Sequence, residues 1–130
     1  TFPNLKIAIG HFGMVTRQGW EEQIKLARYK NVFIESGGIT WLFNDEFYPF
    51  RGAIEAIRQA AALVGMEKLM WGSDYPRTIT AITYRMSYDF VLKSNELTPE
   101  EKAMFLGKNA EQFYGFKHLV ELPYIKNMSE

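Results

Sequence analysis

The sequence contains no cysteine among its 130 residues. This absence excludes disulfide bonds, thiolate metal sites and cysteine nucleophiles. It is compatible with a reducing compartment, so we expect a cytoplasmic protein. An excess of charge is missing too, because 15 Lys and Arg residues balance 15 Asp and Glu residues. Without a charged block, we expect neither nucleic acid nor a membrane surface as a partner.

Long hydrophobic runs are also absent, so the sequence predicts no secretory signal and no bilayer-spanning segment. Aromatic residues, in contrast, make up 15% of the chain, which favours a large core or an aromatic-lined cleft. Thr1 is not an initiator residue, and a strand is predicted soon after it. We therefore expect a piece of a longer protein, with a processed mature chain as the alternative.

Short apolar segments alternate with apolar residues at helical spacing. The predicted strands cover residues 5–10, 32–36 and 68–72, and the first of them is expected to be buried. The predicted helices cover 20–29, 51–64 and 79–93. Gly65 is placed to end the second helix, and a long aromatic loop precedes that helix. A last helix is predicted from Thr98 as N-cap, with Pro99 first and Glu101 completing a capping box. Gly115 is placed to end it, with an earlier turn near Gly107 as the alternative.

Strands that alternate with helices predict a parallel sheet with right-handed crossovers. A three-stranded parallel sheet has two open edges, which larger sheets normally avoid. We therefore expect further strands from upstream residues, from a second copy of the chain or from a short antiparallel edge.

Polar residues follow each predicted strand: His11 the first, Ser36 the second and Asp74 the third. Because the carboxyl ends of parallel strands meet at one rim, we expect these side chains to lie together. A carboxylate directly after an apolar strand needs a cation or hydrogen bonds, so Asp74 is a candidate metal ligand or general base. An Asx-turn or a helix N-cap before Pro76 is the alternative.

His11 is a candidate metal ligand, substrate ligand or proton shuttle, or else a hydrogen-bonded histidine between strand and loop. Trp41 is predicted to line a substrate pocket, with a core or interface position as the alternative. Arg51 and Arg77 are candidates for gripping a carboxylate, although solvated arginines are the commoner case. The remaining polar candidates, Glu35, Asp45 and His118, are expected to be ordinary loop, rim or packing residues.

At these strand ends the sequence resembles the amidohydrolase-related family of metal-dependent (β/α)₈-barrel hydrolases and decarboxylases. The matching segments are residues 2–13, 31–37, 70–76, 97–102 and 109–114. They occur in the family's order along nearly the whole chain. The sequence Gly-Ser-Asp-Tyr-Pro at 72–76 is the most specific of them.

The resemblance implies an α/β fold in which residues 1–130 form a single partial-barrel domain, strands six to eight of a TIM barrel with their helices. It implies that His11 contacts the substrate or the activated water. It implies that Asp74 ligates the metal and takes the proton of the attacking water. We expect the substrate to be bound by further rim residues, namely Ser36, Gly37, Trp41, Tyr75 and Arg77.

The family's other metal-binding histidines would lie upstream of Thr1. We therefore expect a divalent metal, zinc or manganese, in the parent protein, and weak or no metal binding and no activity in this chain alone. The expected partners are a small-molecule substrate and either a second copy of the chain or the N-terminal half of the barrel.

The expected activity of the parent is hydrolysis of a small carbonyl compound, such as a lactone or a carboxylated ring. Non-oxidative decarboxylation is the first alternative. It ranks second because Met14 stands where family decarboxylases often carry an acidic residue. A non-catalytic half-barrel that serves in assembly is the other alternative.

Overall fold

Within the described part of the chain, three short strands form one parallel sheet in the order β1, β2, β3. They are β1 (Ile7–Ile9), β2 (Val32–Glu35) and β3 (Leu69–Met70). The computed structural model describes residues 2–117, so the prediction that His118 is a surface or packing residue concerns a residue outside the described range. The predicted α/β order and parallel pairing are confirmed, although each strand is shorter than predicted.

Among the residues that the structure describes, six α-helices follow or connect the strands. They are α1 (Trp20–Lys25), α2 (Ile39–Leu42), α3 (Arg51–Val64), α4 (Met86–Lys93), α5 (Pro99–Ala103) and α6 (Asn109–Tyr114). Residues Met104–Lys108 join α5 to α6 as a π-helical segment, so the last helix is continuous. Between residues 2 and 117, no helix is long and apolar enough to cross a membrane.

The predicted ends of two helices are confirmed. Thr98 Oγ1 accepts the N–H of Glu101, and a Glu101 carboxylate oxygen accepts the N–H of Thr98 at 2.7 Å. This reciprocal capping box satisfies two backbone donors at the start of α5. Gly65 follows α3 with φ 93° and Gly115 follows α6 with φ 71°, a conformation that glycine adopts without steric cost.

Two predicted boundaries are wrong. The segment predicted as a long aromatic loop contains α2 and the 3₁₀ turn Asn44–Glu46. The helix predicted over 79–93 begins only at Met86, because Arg77–Thr80 forms a separate 3₁₀ turn. The β-branched residues in this stretch have low helix propensity, and they explain the late start.

The core lies between one face of the sheet and helices α1 and α3. Ile34 and Leu69 of the sheet and Ile24 and Ile57 of these helices are fully buried. The expectation that the first strand is buried is wrong, since Ile7 is 42% exposed. The physical reason is position: β1 is an edge strand that pairs with β2 on one side only.

Candidate active site

The carboxyl ends of the three strands bring His11 and Asp74 together beside Gly38. A Cβ placed on Gly38 would lie 3.0 Å from Asp74 Oδ2 and 3.3 Å from His11 Nδ1. The two side chains therefore face the same small space, as the strand order predicts. Gly38 has φ 76° and no side chain, so it leaves this space open.

His11 is presented by a short left-handed turn directly after β1. Four consecutive residues have positive φ: His11 at 52°, Phe12 at 49°, Gly13 at 61° and Met14 at 57°. Each non-glycine residue in this region costs about 1–2 kcal/mol. The fully buried Phe12 ring, which stacks on Trp20 at 6.2 Å, holds the turn in place.

The ring of His11 is oriented by one hydrogen bond. His11 Nδ1 lies 2.9 Å from the carbonyl oxygen of Gly37. Because a carbonyl oxygen can only accept, Nδ1 must carry the proton. In the neutral imidazole, Nε2 then keeps its lone pair and can accept a proton or bind a cation.

Asp74 follows β3 in a half-buried position with φ 53°, a conformation that aspartate tolerates better than most residues. The turn around it is held by its neighbour, since Ser73 Oγ accepts the N–H of Tyr75 at 3.2 Å. Among residues 2–117, no hydrogen bond to the Asp74 carboxylate is present. The geometry therefore does not support the Asx-turn alternative, and it leaves the carboxylate available for chemistry.

Glu35 is the site residue that sequence reasoning missed. It ends β2 half-buried, and its Oε1 accepts the N–H of Gly37 at 2.8 Å. Burial raises the pKa of the Glu35 carboxyl, and the negative charge of Asp74 raises it further. The Gly37 hydrogen bond and His11 oppose this shift. Glu35 does lie at the rim, as expected, but it is half-buried and hydrogen-bonded there and not simply solvated. The alternation along β2, which buries Val32 and Ile34 on the helix side, could have shown that Glu35 faces the opposite side.

Glycines at the ends of the three strands make room for the Glu35 carboxylate. A Cβ on Gly72 would lie 1.4 Å from Glu35 Oε1, and a Cβ on Gly37 would lie 2.9 Å from both carboxylate oxygens. A Cβ on Gly10 would be in ordinary contact at 3.7 Å from Oε2. The absence of side chains at Gly37 and Gly72 therefore creates the slot that this carboxylate fills.

The predicted substrate-binding residues fall into two groups. Ser36 and Gly37 are buried: Ser36 Oγ accepts the N–H of Gly72 at 3.3 Å, and Gly37 binds Glu35 and His11. These two residues join the strand ends and have little surface to offer a ligand. Trp41 and Tyr75 are exposed, and the guanidinium carbon of Arg77 lies 4.3 Å from the centre of the Trp41 ring.

Other charged candidates lie elsewhere. Arg51 begins α3 and borders a separate groove with Tyr48 and Lys93. Asp45 is exposed in the turn after α2, as expected. Within the described part of the chain, no three His, Asp or Glu residues are grouped so that they could hold a metal ion. His11 and Asp74 could therefore supply only part of a site, since protein metal sites commonly need three or four protein ligands.

The chain matches the family model described as amidohydrolase over residues 1–116. No curated protein sequence matches it significantly. Solved structures do match. An amidohydrolase from Burkholderia multivorans with bound HEPES is 19% identical with a TM-score of 0.71, and a form with bound zinc is also 19% identical with a TM-score of 0.69. At this identity the likeness is one of fold.

A third similar structure is a Pseudomonas putida protein proposed to be a 2-pyrone-4,6-dicarboxylic acid hydrolase. It is 26% identical to the chain with a TM-score of 0.70, and it covers 89% of the chain. The two Burkholderia structures cover 87% of the chain. The chain spans 45% of the length of each of these proteins.

Proposed function

The chain belongs to the amidohydrolase family, and on that premise we propose that it forms strands six to eight of the barrel of a longer hydrolase. Three observations support this placement. The strands are parallel and covered by helices on one face. The chain spans 45% of the length of similar proteins. The exposed edge of β1 is where a preceding barrel strand would pair.

In this proposal the reaction is hydrolysis of a small carbonyl compound, and the observation that carries it is the meeting of Asp74 and His11 beside Gly38. Asp74, with no hydrogen-bond partner among residues 2–117, accepts the proton of the attacking water and later delivers it to the leaving group. Neutral His11 carries its proton on Nδ1, so its Nε2 orients the water or a substrate hydroxyl. Only the imidazolium form would donate to a developing oxyanion.

We place a divalent metal, zinc or manganese, in the longer protein, with Asp74 as one ligand. The zinc-bound Burkholderia structure is the support for this choice. The other donors would come from outside residues 2–117, because no sufficient group exists within them. The chain alone is accordingly proposed to be inactive and to bind metal weakly.

The substrate class we propose is a lactone or ring that carries a carboxylate. The guanidinium carbon of Arg77 lies 4.3 Å from the centre of the exposed Trp41 ring, near the strand ends. A guanidinium can bind a carboxylate through two hydrogen bonds. The Pseudomonas protein, whose proposed substrate is a dicarboxylated pyrone, is consistent with this class. Tyr75 is proposed as an exposed wall of the same pocket.

Further strands are proposed to come from the N-terminal half of the same protein, with a second copy of the chain as the other possible source. Leu5 and Ile7 are 56% and 42% exposed on or beside β1, and a neighbouring strand would cover them. A cytoplasmic location stays a prediction that rests on the absence of cysteine.

The test of this proposal uses the full-length protein with lactones that differ in whether they carry a carboxylate. Asp74→Asn should lower kcat by about 10³-fold, the range expected for a general base. Asp45→Asn, an exposed aspartate after α2, is the matched control and should retain full activity. An Asp74→Asn protein with most of its kcat would refute the assignment, and carbon dioxide release from an unsaturated acid would favour decarboxylation instead.

The carboxylate preference has its own test in Arg77→Met. This change should raise KM for the carboxylated lactone by about 10- to 100-fold, as expected for a lost charge-assisted hydrogen bond. It should leave KM for the uncharged lactone nearly unchanged. Equal losses for both compounds would contradict the proposed role of Arg77.

A further inference from the structure

One glycine lies between two functional side chains at the rim. Gly37 donates its N–H to Glu35 Oε1 at 2.8 Å, and its carbonyl oxygen lies 2.9 Å from His11 Nδ1. We propose that Glu35 is a positioning residue that fixes the backbone at Gly37 and, through the Gly37 carbonyl, selects the Nδ1–H tautomer of His11.

The need for such a restraint follows from glycine itself. Without a Cβ, Gly37 is free to adopt backbone conformations that other residues cannot reach. Its carbonyl points at His11 only while that freedom is restricted. The hydrogen bond from Gly37 N–H to the Glu35 carboxylate restricts the backbone of Gly37. The restrained nitrogen lies only two covalent bonds from the carbonyl carbon whose oxygen faces His11.

The surroundings of Glu35 indicate that its carboxylate is placed there at a cost. The group is half-buried, and burial raises its pKa, which means that the charged form is disfavoured at this position. Two glycines, Gly37 and Gly72, nevertheless leave the space it occupies. The Glu35 carboxylate is therefore held in a position where its charge is unfavourable. The space for it exists because Gly37 and Gly72 have no side chains, which indicates a specific role for this side chain.

The consequence for His11 is chemical. Free imidazole side chains favour the tautomer with the proton on Nε2, whereas the Gly37 carbonyl requires it on Nδ1. Neutral His11 then offers Nε2 as an acceptor at the rim. The catalytic meaning of this acceptor rests on the proposed function, but the tautomer itself does not.

Nitrogen NMR of the imidazole rings tests the inference without substrate or metal. The imidazole signals that disappear in His11→Gln are those of His11. In the unaltered protein we expect neutral His11 to be mainly the Nδ1–H tautomer. Glu35→Met, which keeps the side-chain length but removes the acceptor, should lower the ratio of Nδ1–H to Nε2–H about five-fold, the effect of one ordinary hydrogen bond.

Two further variants make the result specific. Glu35→Gln retains an accepting oxygen and should restore the Nδ1–H tautomer. Glu46→Met is the matched control, because Glu46 also accepts a glycine N–H, from Gly52 at 2.7 Å, but lies in the exposed turn after α2. It should leave the His11 signals unchanged.

An unchanged tautomer ratio in a folded Glu35→Met protein overturns the inference. If Glu35→Met does not fold, Glu35→Ala replaces it with the same expected result. The inference can be tested separately from the proposed function. If Asp74→Asn loses activity but Glu35→Met leaves the tautomer ratio of His11 unchanged, only the inference about Glu35 is refuted.

Discussion

The two ends of the sheet differ in how their polar groups are hydrogen-bonded. At the carboxyl ends, the backbone of residues 11–14 is left-handed, and Asp74 has no hydrogen-bond partner among the described residues. At the amino ends, the amide of Asn109 donates to the carbonyls of Met66 and Leu69 at 2.7 and 2.8 Å. One end leaves polar groups available, and the other end satisfies them.

The amino end also contains two lysines whose ammonium groups donate hydrogen bonds to backbone carbonyls. Lys68 Nζ donates to three backbone carbonyls at 3.0–3.2 Å and lies 4.4 Å from the centre of the Phe33 ring. Lys6 Nζ donates to the carbonyl of Phe113 at 2.8 Å. The comparison places the hydrogen bonds that hold the backbone at the amino ends of the strands and the side chains proposed to react at the carboxyl ends, the division typical of barrel enzymes.

The largest loss of stability is expected from Asn109→Ala at the amino end. The change removes two buried hydrogen bonds and leaves the carbonyls of Met66 and Leu69 without their partner, at a cost of about 2–4 kcal/mol. Chemical denaturation measures the effect. Gln112→Ala, at an exposed position of the same helix, should change the free energy of unfolding by less than about 0.5 kcal/mol. Equal effects of the two changes would contradict the asymmetry.

The next largest effect is expected at the carboxyl end from Gly72→Ala. The new Cβ would lie 1.4 Å from Glu35 Oε1, so the carboxylate must leave its slot, at a cost of about 1–3 kcal/mol. Adding Glu35→Ala should recover most of this loss, because the clash is with that side chain. Gly107→Ala is the control, since a Cβ there meets no atom within 4 Å. A double variant no more stable than Gly72→Ala would place the strain elsewhere.

A smaller effect is expected from Lys68→Met. The change keeps the aliphatic stem but removes the donor to three carbonyls, and we expect a loss of about 1–2 kcal/mol in urea denaturation. Lys30→Met removes an exposed ammonium nearby and serves as the control. A cost for Lys68→Met no greater than for the control would show that these hydrogen bonds are weak.

The smallest effect is expected from Glu35→Gln, which should raise the free energy of unfolding where the changes above lower it. Because the pKa of Glu35 is raised in the folded protein, the unfolded chain loses this proton first as pH rises. Stability therefore falls as pH rises through the window above the ordinary carboxyl value. Glu35→Gln should be more stable than the unaltered protein at about pH 8, and the gain should shrink near pH 3.

The control for this pH dependence is Glu46→Gln, which alters an exposed carboxylate that also accepts a glycine N–H. It should show no gain that depends on pH in this way. A loss of stability in Glu35→Gln at about pH 8 would mean that the charge of Glu35 stabilises the fold.

The sequence predicts the parallel sheet and the meeting of His11 with Asp74, because alternating strands and helices bring strand ends to one rim. It could not predict the exposure of Ile7, since burial of an edge strand depends on what pairs with it. The partial burial of Glu35 was also missed, because the side chain's surroundings depend on the register of β2 with β3. Hydrogen bonds such as that from Lys6 to Phe113 join distant residues and carry no local signal.

The hydrogen bond between Lys6 and the carbonyl of Phe113 joins residues 107 positions apart. During synthesis on the ribosome, Lys6 emerges long before α6, the helix that contains its hydrogen-bond partner Phe113. Closing so large a loop is entropically costly and slow compared with local pairing. We therefore expect this hydrogen bond to form late in folding, and a chain released before residue 113 would lack it.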